Sequence, residues 1–507
     1  MAEDKSKRNL AILLLFAIGL ILRLFLLAST SYTADDSLIT YRYAENIASG
    51  LGFAYNPGER VLGTTTPLYT LLLSLLIKTG AQINVLGKGM NILADCLAGA
   101  LIFLILRCFR FGFAFLASLF YLCFPRILVW SISGMETGIY LFLIGLSFYF
   151  YMRRDFNLLP LVLALAWLTR ADAFLLIAAL FLDYLIRRKK LPLRMIALTF
   201  AFILPWCIFA TFHFGSPIPN SIWAKKALYQ DVLQTPKATI LWEFLILKTK
   251  IGWLILGSAL LGIYATLRKN KDLSFIIIWT LLYACFYLFA GTRMHSWYYV
   301  PFYLGYLMLA ARGSVFVYES LNSFAARLWE RKKQISLFRG IRFAFLLLVV
   351  FVCLFVYRSQ MKRTIELVRS EQTVLDRIHK RIGLWLKENS DVGDTVCAED
   401  IGYMGYFSRR YILDQDGLVS PQAVPFNKEK DRLGLIQKYL PRFVVVGFYG
   451  PYYKEVIHSA WFKKNYRILV RFSILGIRPG EFSEDSTKVD LGGTPEFAIY
   501  QRFDDLG

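Results

Sequence analysis

The sequence predicts a mainly α polytopic membrane bundle of about eleven transmembrane helices, followed by a small α/β domain carried outside the cytoplasm. Three observations predict it. The 507-residue chain is 56% hydrophobic with a mean hydropathy of +0.47, well above a soluble chain. Its apolar residues come in long runs, many near the length that matches a bilayer's hydrocarbon core. The runs stop near Arg358, beyond which short β-rich segments alternate with Gly, Pro and Asp.

The expected spans fall near 10–28, 87–106, 113–130, 136–151, 156–170, 172–186, 193–212, 251–267, 273–290, 297–311 and 341–357. Lys5, Lys7 and Arg8 precede the first, so the N-terminus is expected in the cytoplasm. Eleven spans then place 22 Lys and Arg in cytoplasmic segments and 10 in the short outside loops. That bias supports the count and puts the C-terminal domain outside. Pro67 to Ile77 is apolar but short, so it is expected to lie along the outer membrane surface. The domains are accordingly 1–357 in the membrane, including an outside loop at 31–86, and 358–507 outside. The apolar run behind the basic N-terminus is too long for a signal peptide and reads as a retained helix.

In the C-terminal region Ile365 to Asn389 has the pattern of an amphipathic helix. Strands are expected at Thr395–Ala398, Tyr411–Leu413, Phe443–Val446, Ile468–Val470 and Phe497–Tyr500, with a helix near Asp431 to Tyr439. The aromatic run from Phe448 to Tyr453 suits either stacking on sugars or packing on the bundle.

Charge excludes one class of partner. The formal net charge is +22, but residues 358–507 hold 23 Lys and Arg against 20 Asp and Glu. The excess therefore belongs to the membrane part, which fits anionic lipid and argues against nucleic acid. Of the seven cysteines only Cys397 lies in the C-terminal region, so no internal disulfide framework exists there.

The candidate chemistry begins directly after the first span, in TADDSLITYRYAEN. Adjacent carboxylates, Asp35 and Asp36, at the mouth of a membrane bundle suit proton abstraction or metal binding. Their plainer use is to cap the helix expected from Ser37 to Ala48, with Gly50 as its C′ residue. Tyr41, Arg42 and Tyr43 give that helix an aromatic and cationic surface. Asn56-Pro57-Gly58 then forms a turn that presents Glu59 and Arg60.

These residues resemble the GT-C superfamily of integral-membrane glycosyltransferases, and are most similar to bacterial terminal arabinofuranosyltransferase-like members. The resemblance rests on DDSLITYRYAEN, on NPGERV, and on Thr65-Thr66-Pro67-Leu68. It extends to Ser133–Thr137, Thr169–Asp172, Pro217–Asn220 followed by Lys225, Gly402-Tyr403, and Asp414–Leu418. Two departures are Ala171, where relatives often have proline, and Leu62, where many have glutamate. The resemblance implies a polyprenyl-phosphate-linked sugar donor. The acceptor would be a hydroxyl of a cell-envelope glycan, lipid or protein. The setting would be the outer face of a bacterial plasma membrane.

Transfer needs a base, for which Asp35 or Asp36 is the candidate. It also needs a cation beside the leaving phosphate, drawn from Lys225, Arg170, Arg293 and His295. A divalent cation (magnesium, manganese or calcium) held by Asp35 and Asp36 is a candidate cofactor. Arg42, Glu59, Arg60, Glu136 and Asp172 complete the expected substrate-binding set. Each has a structural alternative. Arg170 and Asp172 could be an ion pair at a helix end, and Glu136 a helix-start charge. Lys225 and Lys226 could hold lipid headgroups. Arg293 and His295 adjoin Trp297, Tyr298 and Tyr299 in what reads as an interfacial aromatic belt. Arg126 and Asp183 are expected to snorkel, and Asp95 to be a buried polar contact or a site. Asp414 and Asp416 read as turn residues. The rival function is a transporter or flippase of lipid-linked glycans; matched halves, its usual signature, are not evident.

Overall fold

The computed structural model describes residues 5–229, 235–269, 271–328, 351, 355, 358, 360–448, 453–479 and 496–503. It is mostly helical, with one small sheet near the C-terminus. Helices stand at ten of the eleven expected positions; the eleventh, 341–357, falls almost wholly outside the described residues. Five described helices are long and apolar enough to cross a membrane: Lys5–Thr30, Ile83–Leu106, Leu193–Phe214, Lys250–Arg268 and Ser296–Ser323. A sixth is the pair Phe111–Leu122 and Pro125–Ile132, bent by 56°. The bend has a local cause: Pro125 has no N–H to continue the first helix and holds Phe124 extended. The helices Thr137–Arg153, Leu159–Thr169, Phe174–Arg188 and Ser274–Phe289 have 17, 11, 15 and 16 residues, short of the roughly 20 that span a bilayer. Among the described residues, five helices, or six with the bent pair taken as one span, are long and apolar enough to cross a membrane, as a multi-pass membrane protein requires.

The fold divides into two compact units. The first comprises Met1–Ser31, Gly87–Pro205 and Gln234–Glu366. Here the helices Lys250–Lys269 and Val300–Leu328 cross at Gly262 and Gly313. A Cβ on either glycine would overlap the other helix's backbone. Ser258 Oγ donates to the Ala310 carbonyl at 2.7 Å across the same crossing, the small-residue contact typical of helices packed in lipid. Charged groups inside this unit are paired. Arg23, fully buried, donates Nε to Asp95 Oδ2 at 2.8 Å, and the Tyr121 hydroxyl donates to Asp95 Oδ1. The expected snorkelling is corrected for two residues. Asp183 is buried and accepts from Tyr151 at 2.6 Å and from Ser274. Arg126 is held by Glu243 and by the Tyr303 hydroxyl at 2.7 Å. Partners inside the bundle replace the interface as the place where these charges are satisfied.

The second unit comprises Tyr32–Leu86, Trp206–Leu233 and Leu367–Gly507. Its sheet is built from β1 (Thr395–Ala398), β2 (Tyr411–Asp414), β3 (Phe443–Gly447), β4 (Tyr466–Ser473), β5 (Gly476–Pro479) and β6 (Glu496–Arg502). The order is β2-β1-β3-β6-β4-β5. β1 runs parallel to β2 and β3, and the rest pair antiparallel. Alternation along each strand makes two cores. Val396, Ile412, Phe443, Val445, Phe472, Phe497 and Ile499 face one side. Cys397, Leu413, Val444, Val446, Ala498 and Tyr500 face the other. In β4 Ile468 belongs to the second core and Val470 to the first. The two would share a face in a regular strand, and a register shift between them accounts for the switch. The second core is covered by helices Arg432–Tyr439, Tyr453–His458 and Ala460–Asn465. The first is covered by the helix through Ile378, Ile382 and Leu386, by Met404, and by Ile39, Tyr43, Phe53, Tyr55 and Leu62 from residues 31–86. Of the expected aromatic run, Tyr449 to Tyr452 lie outside the described residues.

Candidate functional site

Residues 31–86 are stitched into this unit by hydrogen bonds at each of their turns. Asn56 acts as an extra rung on the edge of β2. Its amide donates to the Ile412 carbonyl at 2.9 Å and accepts from Ile412 N at 3.0 Å. The turn it opens is closed by Glu59 N donating to Asn56 O, with Gly58 at φ +90°, a conformation that favours glycine. Tyr55 donates to the Ile401 carbonyl at 2.6 Å, and Tyr43 to Val61 at 2.7 Å. Helix Pro67–Leu76 follows, its proline at the first position.

The helix expected from Ser37 begins at Asp35 and ends at Ala48, with Gly50 at φ +78° beyond it. Ala34 holds the cap position, and no side chain caps this helix. Asp35 instead caps a different one. Its carboxylate accepts from Gly402 N at 2.9 Å and from Tyr403 N at 2.8 Å, in the first turn of helix Ile401–Ser408. The approach requires glycine at 402, because a Cβ there would overlap the Asp35 carboxylate and main-chain oxygen. Burial, and then the nearby charge of Asp400, push the Asp35 pKa up to about 8, against the two amide bonds.

Asp36 differs from its neighbour. It is partly exposed, and among the described residues its carboxylate makes no hydrogen bond. Burial raises its pKa, Lys225 opposes that rise, and Asp400 adds to it. Lys225 lies on helix Asn220–Leu228, whose start is fixed by Asn220. The Asn220 amide donates to the Gly417 carbonyl at 2.6 Å and the Leu418 carbonyl at 3.1 Å, and its backbone N–H reaches Leu62 O at 2.8 Å. Three segments singled out in the sequence (Asp35–Asp36, Pro217–Lys225 and Asp414–Leu418) thus meet within one unit.

The DQDGL turn is self-organised. Asp414, fully buried, accepts from Asp416 N at 2.9 Å and Val419 N at 3.0 Å, and Gly417 has φ +84°. Burial pushes the Asp414 pKa up to about 7. Arg432, largely buried, donates to Asp416 at 3.0 Å and pairs with Glu399, whose pKa burial raises to about 7. Glu399, Asp400 and Asp416 are residues that motif reading passed over or left as turn chemistry. Their signal was positional. Each lies just past the carboxyl end of β1 or β2, where open α/β sheets carry their sites.

The remaining expected residues are placed as follows. Arg42 is buried, with Nη1 donating to Gly405 O and Nη2 to Arg410 O, both at 2.7 Å, and its guanidinium 4.2 Å from the Tyr55 ring centre. Glu59 is held by Asn56 Nδ2 at 3.0 Å and by the Tyr411 hydroxyl. Arg60 is exposed. In the first unit, Arg170 donates to Asp172 at 3.0 and 3.1 Å and to Glu136 at 3.3 Å. Tyr283 and Tyr287 donate to Asp172 at 3.2 and 2.8 Å. His295 stacks on Trp297 at 4.4 Å, and Arg293 is exposed. Glu136, Arg170 and Asp172 therefore form one network within the first unit.

No group of three or more His, Cys, Asp and Glu side chains is placed to hold a metal among the described residues. Both Asp35 oxygens accept backbone N–H groups, so the Asp35/Asp36 pair does not fit a divalent ion as a ready-made protein ligand set.

Residues 363–500 match a family described as Domain of unknown function (DUF8728). No curated protein matches the sequence. Among solved structures, the fold is similar to apo ArnT from Cupriavidus metallidurans, with a TM-score of 0.60, 13% identity, and 96% of this chain and 97% of that one covered. ArnT bound to undecaprenyl phosphate gives 0.58, 14%, 86% and 92%. The archaeal oligosaccharyltransferase AglB from Archaeoglobus fulgidus, in complex with an inhibitory peptide and a dolichol-phosphate, gives 0.58, 13%, 96% and 75%. At these identities the likeness concerns the fold alone, and it does not single out an arabinofuranosyltransferase.

Proposed function

We propose that this chain is a glycosyltransferase that moves a sugar from a polyprenyl-phosphate donor to a hydroxyl of a cell-envelope glycan, lipid or protein. The reaction takes place on the outer face of a bacterial plasma membrane, with the N-terminus inside and the chain crossing about eleven times. The reading is supported by a fold shared with ArnT and AglB, solved with undecaprenyl phosphate and a dolichol-phosphate respectively. The observation that carries it is Asp36: a partly exposed carboxylate without a hydrogen bond among the described residues, with Lys225 as its opposing charge.

Asp36 takes the proton of the acceptor hydroxyl as that oxygen attacks the anomeric carbon. The bond from that carbon to the phosphate oxygen breaks, and the polyprenyl phosphate leaves with the electron pair. Lys225 stabilises the charge that develops on the phosphate. A single displacement inverts the anomeric centre. Asp35 and Arg42 position this machinery by fixing the two ends of helix Ile401–Ser408 against the first loop.

The test is transfer by the purified full chain from a panel of synthetic polyprenyl-phosphate pentoses and hexoses, repeated with a chelator. Asp36→Asn is expected to bind donor and lose turnover. Full turnover by that variant would remove the mechanism. Movement of donor across vesicle membranes without transfer, undiminished in the variant, would replace it with a carrier.

A further inference from the structure

The C-terminal sheet changes the direction of its connections at β1. The helix after β1, Ile401–Ser408, packs on the first core through Ile401 and Met404. The helices that follow β2 and β3, Arg432–Tyr439 and Tyr453–His458, pack on the second through Leu435, Ile436 and Val456. β1 lies between β2 and β3 and runs parallel to both. Its carboxyl end is therefore flanked by strands whose chains leave toward the opposite face. Such a switch point opens a crevice beyond the strand ends, and open α/β sheets bind ligands there.

A recess lies at that place. It has about 260 Å³ of space, open mouth included. Glu399 just past β1, Gln415 just past β2 and Arg432 line it, against an apolar wall of Val444 and Val446 from β3 with Ile436 and Val456. The polar groups are fixed by their own elements. Gln415 N donates to Ala398 O at 2.9 Å, which extends the pairing of β1 with β2. Asp431 accepts from Gly434 N at 2.7 Å and caps the helix that carries Arg432. Arg432 is only 7% exposed. Its Nη1 donates to Glu399 Oε1 and to Gln415 Oε1, the latter at 3.2 Å, and its Nη2 donates to Asp416 Oδ1 at 3.0 Å.

One guanidinium thus holds two carboxylates side by side. Their other oxygens, Glu399 Oε2 and Asp416 Oδ2, accept no hydrogen bond among the described residues. The two side chains are 32% and 26% exposed, so these acceptors are held in place and open to a ligand. The charges select its class. The central Arg432 disfavours a cation and the two carboxylates disfavour an anion, which leaves a neutral molecule rich in hydroxyls. A sugar ring has that chemistry: hydroxyls on its edge for the fixed acceptors, and C–H faces for the apolar wall. The space is just under the roughly 300 Å³ at which small-molecule pockets begin, so it admits one ring rather than an extended chain.

We propose that the carboxyl end of the C-terminal sheet is a saccharide-binding site. Glu399 and Asp416 accept hydrogen bonds from neighbouring hydroxyls of one sugar ring, and Arg432 is the positioning residue that sets both carboxylates. The proposal goes beyond the reading of Asp36 and does not depend on it.

The experiment is hydrogen exchange on the full chain in lipid nanodiscs, with and without millimolar methyl glycosides of common pentoses and hexoses. At least one glycoside is expected to slow exchange at 398–400, 415–419 and 432–436 of the unmutated chain. Glu399→Gln and Asp416→Asn keep the side-chain shapes, and each is expected to weaken that glycoside by roughly tenfold to a hundredfold, the loss of one hydrogen bond to a charged acceptor. Should either variant fold poorly, the protection map of the unmutated chain decides alone. No protection by any glycoside, protection confined to 34–38 and 220–228, or parental affinity in both variants would overturn the proposal. A glycan that is the acceptor of transfer and one that only anchors the protein present the same hydroxyls. A raised acceptor KM in Glu399→Gln identifies the first, and weakened binding at unchanged KM the second. Transfer without protection here overturns this proposal alone, whereas protection without any transfer overturns only the reading of Asp36.

Discussion

Asp35 and Asp36 are adjacent in sequence and opposite in situation, and separating them by mutation tests the site most directly. Asp35→Asn leaves one acceptor oxygen where the native carboxylate serves Gly402 N at 2.9 Å and Tyr403 N at 2.8 Å. The new amide turns an N–H toward a backbone N–H. One amide donor is left unmatched, at a cost of about 1–3 kcal/mol. The favourable meeting of a carboxylate with a helix N-terminus is also lost, about 0.3–1 kcal/mol when fully charged. That second contribution is small here because the raised pKa leaves the group partly protonated near neutrality. Asp35→Asn should therefore destabilise by roughly 1–3 kcal/mol, read as a lower unfolding midpoint in detergent and faster proteolysis at 401–410. Asp36→Asn removes no hydrogen bond among the described residues, so its stability should stay within about 0.5 kcal/mol of the parent. Its turnover should fall by roughly 10²–10⁴, the usual contribution of a general base. The paired assays are thermal unfolding and transfer from a polyprenyl-phosphate sugar on the same preparations. The reasoning fails if Asp36→Asn unfolds early and keeps its turnover while Asp35→Asn is stable and inactive.

Other consequences follow from the same contacts. Gly402→Ala should be destabilised by about 1–3 kcal/mol, since its Cβ would overlap Asp35; an unfolding midpoint equal to wild type would argue against the close approach. Arg42→Lys, which cannot reach Gly405 O and Arg410 O together as the guanidinium does, should lose about 1–3 kcal/mol without a selective rise in the donor KM, whereas a pure KM effect would restore Arg42 as a substrate contact. Stability should also depend on pH with a definite sign. Asp35 at about 8, and Asp414 and Glu399 at about 7, bind protons more tightly folded than unfolded, where carboxylates titrate near 4. The stabilisation is complete below about pH 4 and is lost as pH rises through 7 and 8. The unfolding midpoint should fall between about pH 4 and 8 and level off above that, and the fall should be shallower in Asp414→Asn; a midpoint that climbs with pH over that range contradicts the burial of these groups.

How much of this was legible in the sequence depended on the range of the interaction. Local signals carried well. The strands at 395, 411, 443, 468 and 497 alternate, and the structure has a strand at each. Gly50 beyond Ala48, and the Asn56-Pro57-Gly58 turn, follow from backbone geometry within a few residues. The cap reading for Asp35 illustrates where local inference stops. Capping chemistry was recognised, but the helix capped is more than 360 residues away in the chain. Gly402 and Tyr403 had been noted only as part of a resemblance. Their physical meaning, two amides and the absence of a Cβ, becomes visible once Asp35 is beside them. The same holds for Asn56, which reads as a turn residue and also serves as a rung beside β2. Membrane periodicity was informative about where helices lie and less so about crossings, because the helices at 159–169 and 274–289 are apolar without being long enough. Inside the bundle, Arg126 and Asp183 found partners that no spacing rule connects, with separations of 117 and 91 residues to Glu243 and Ser274.

These long-range contacts also explain why the catalytic candidates fall on two kinds of residue. Groups such as Asp35, Arg42, Glu59 and Asp414 spend their hydrogen-bonding capacity on backbone or neighbouring side chains. A substrate would have to displace those bonds, each worth about 1 kcal/mol or more. Asp36 has no such bond to give up among the described residues. The sequence pattern contains both kinds, and on the proposed reading they are not equivalent contacts. On the proposed mechanism the chemistry falls to the carboxylate that the fold leaves unspent, and the positioning to the ones it has consumed.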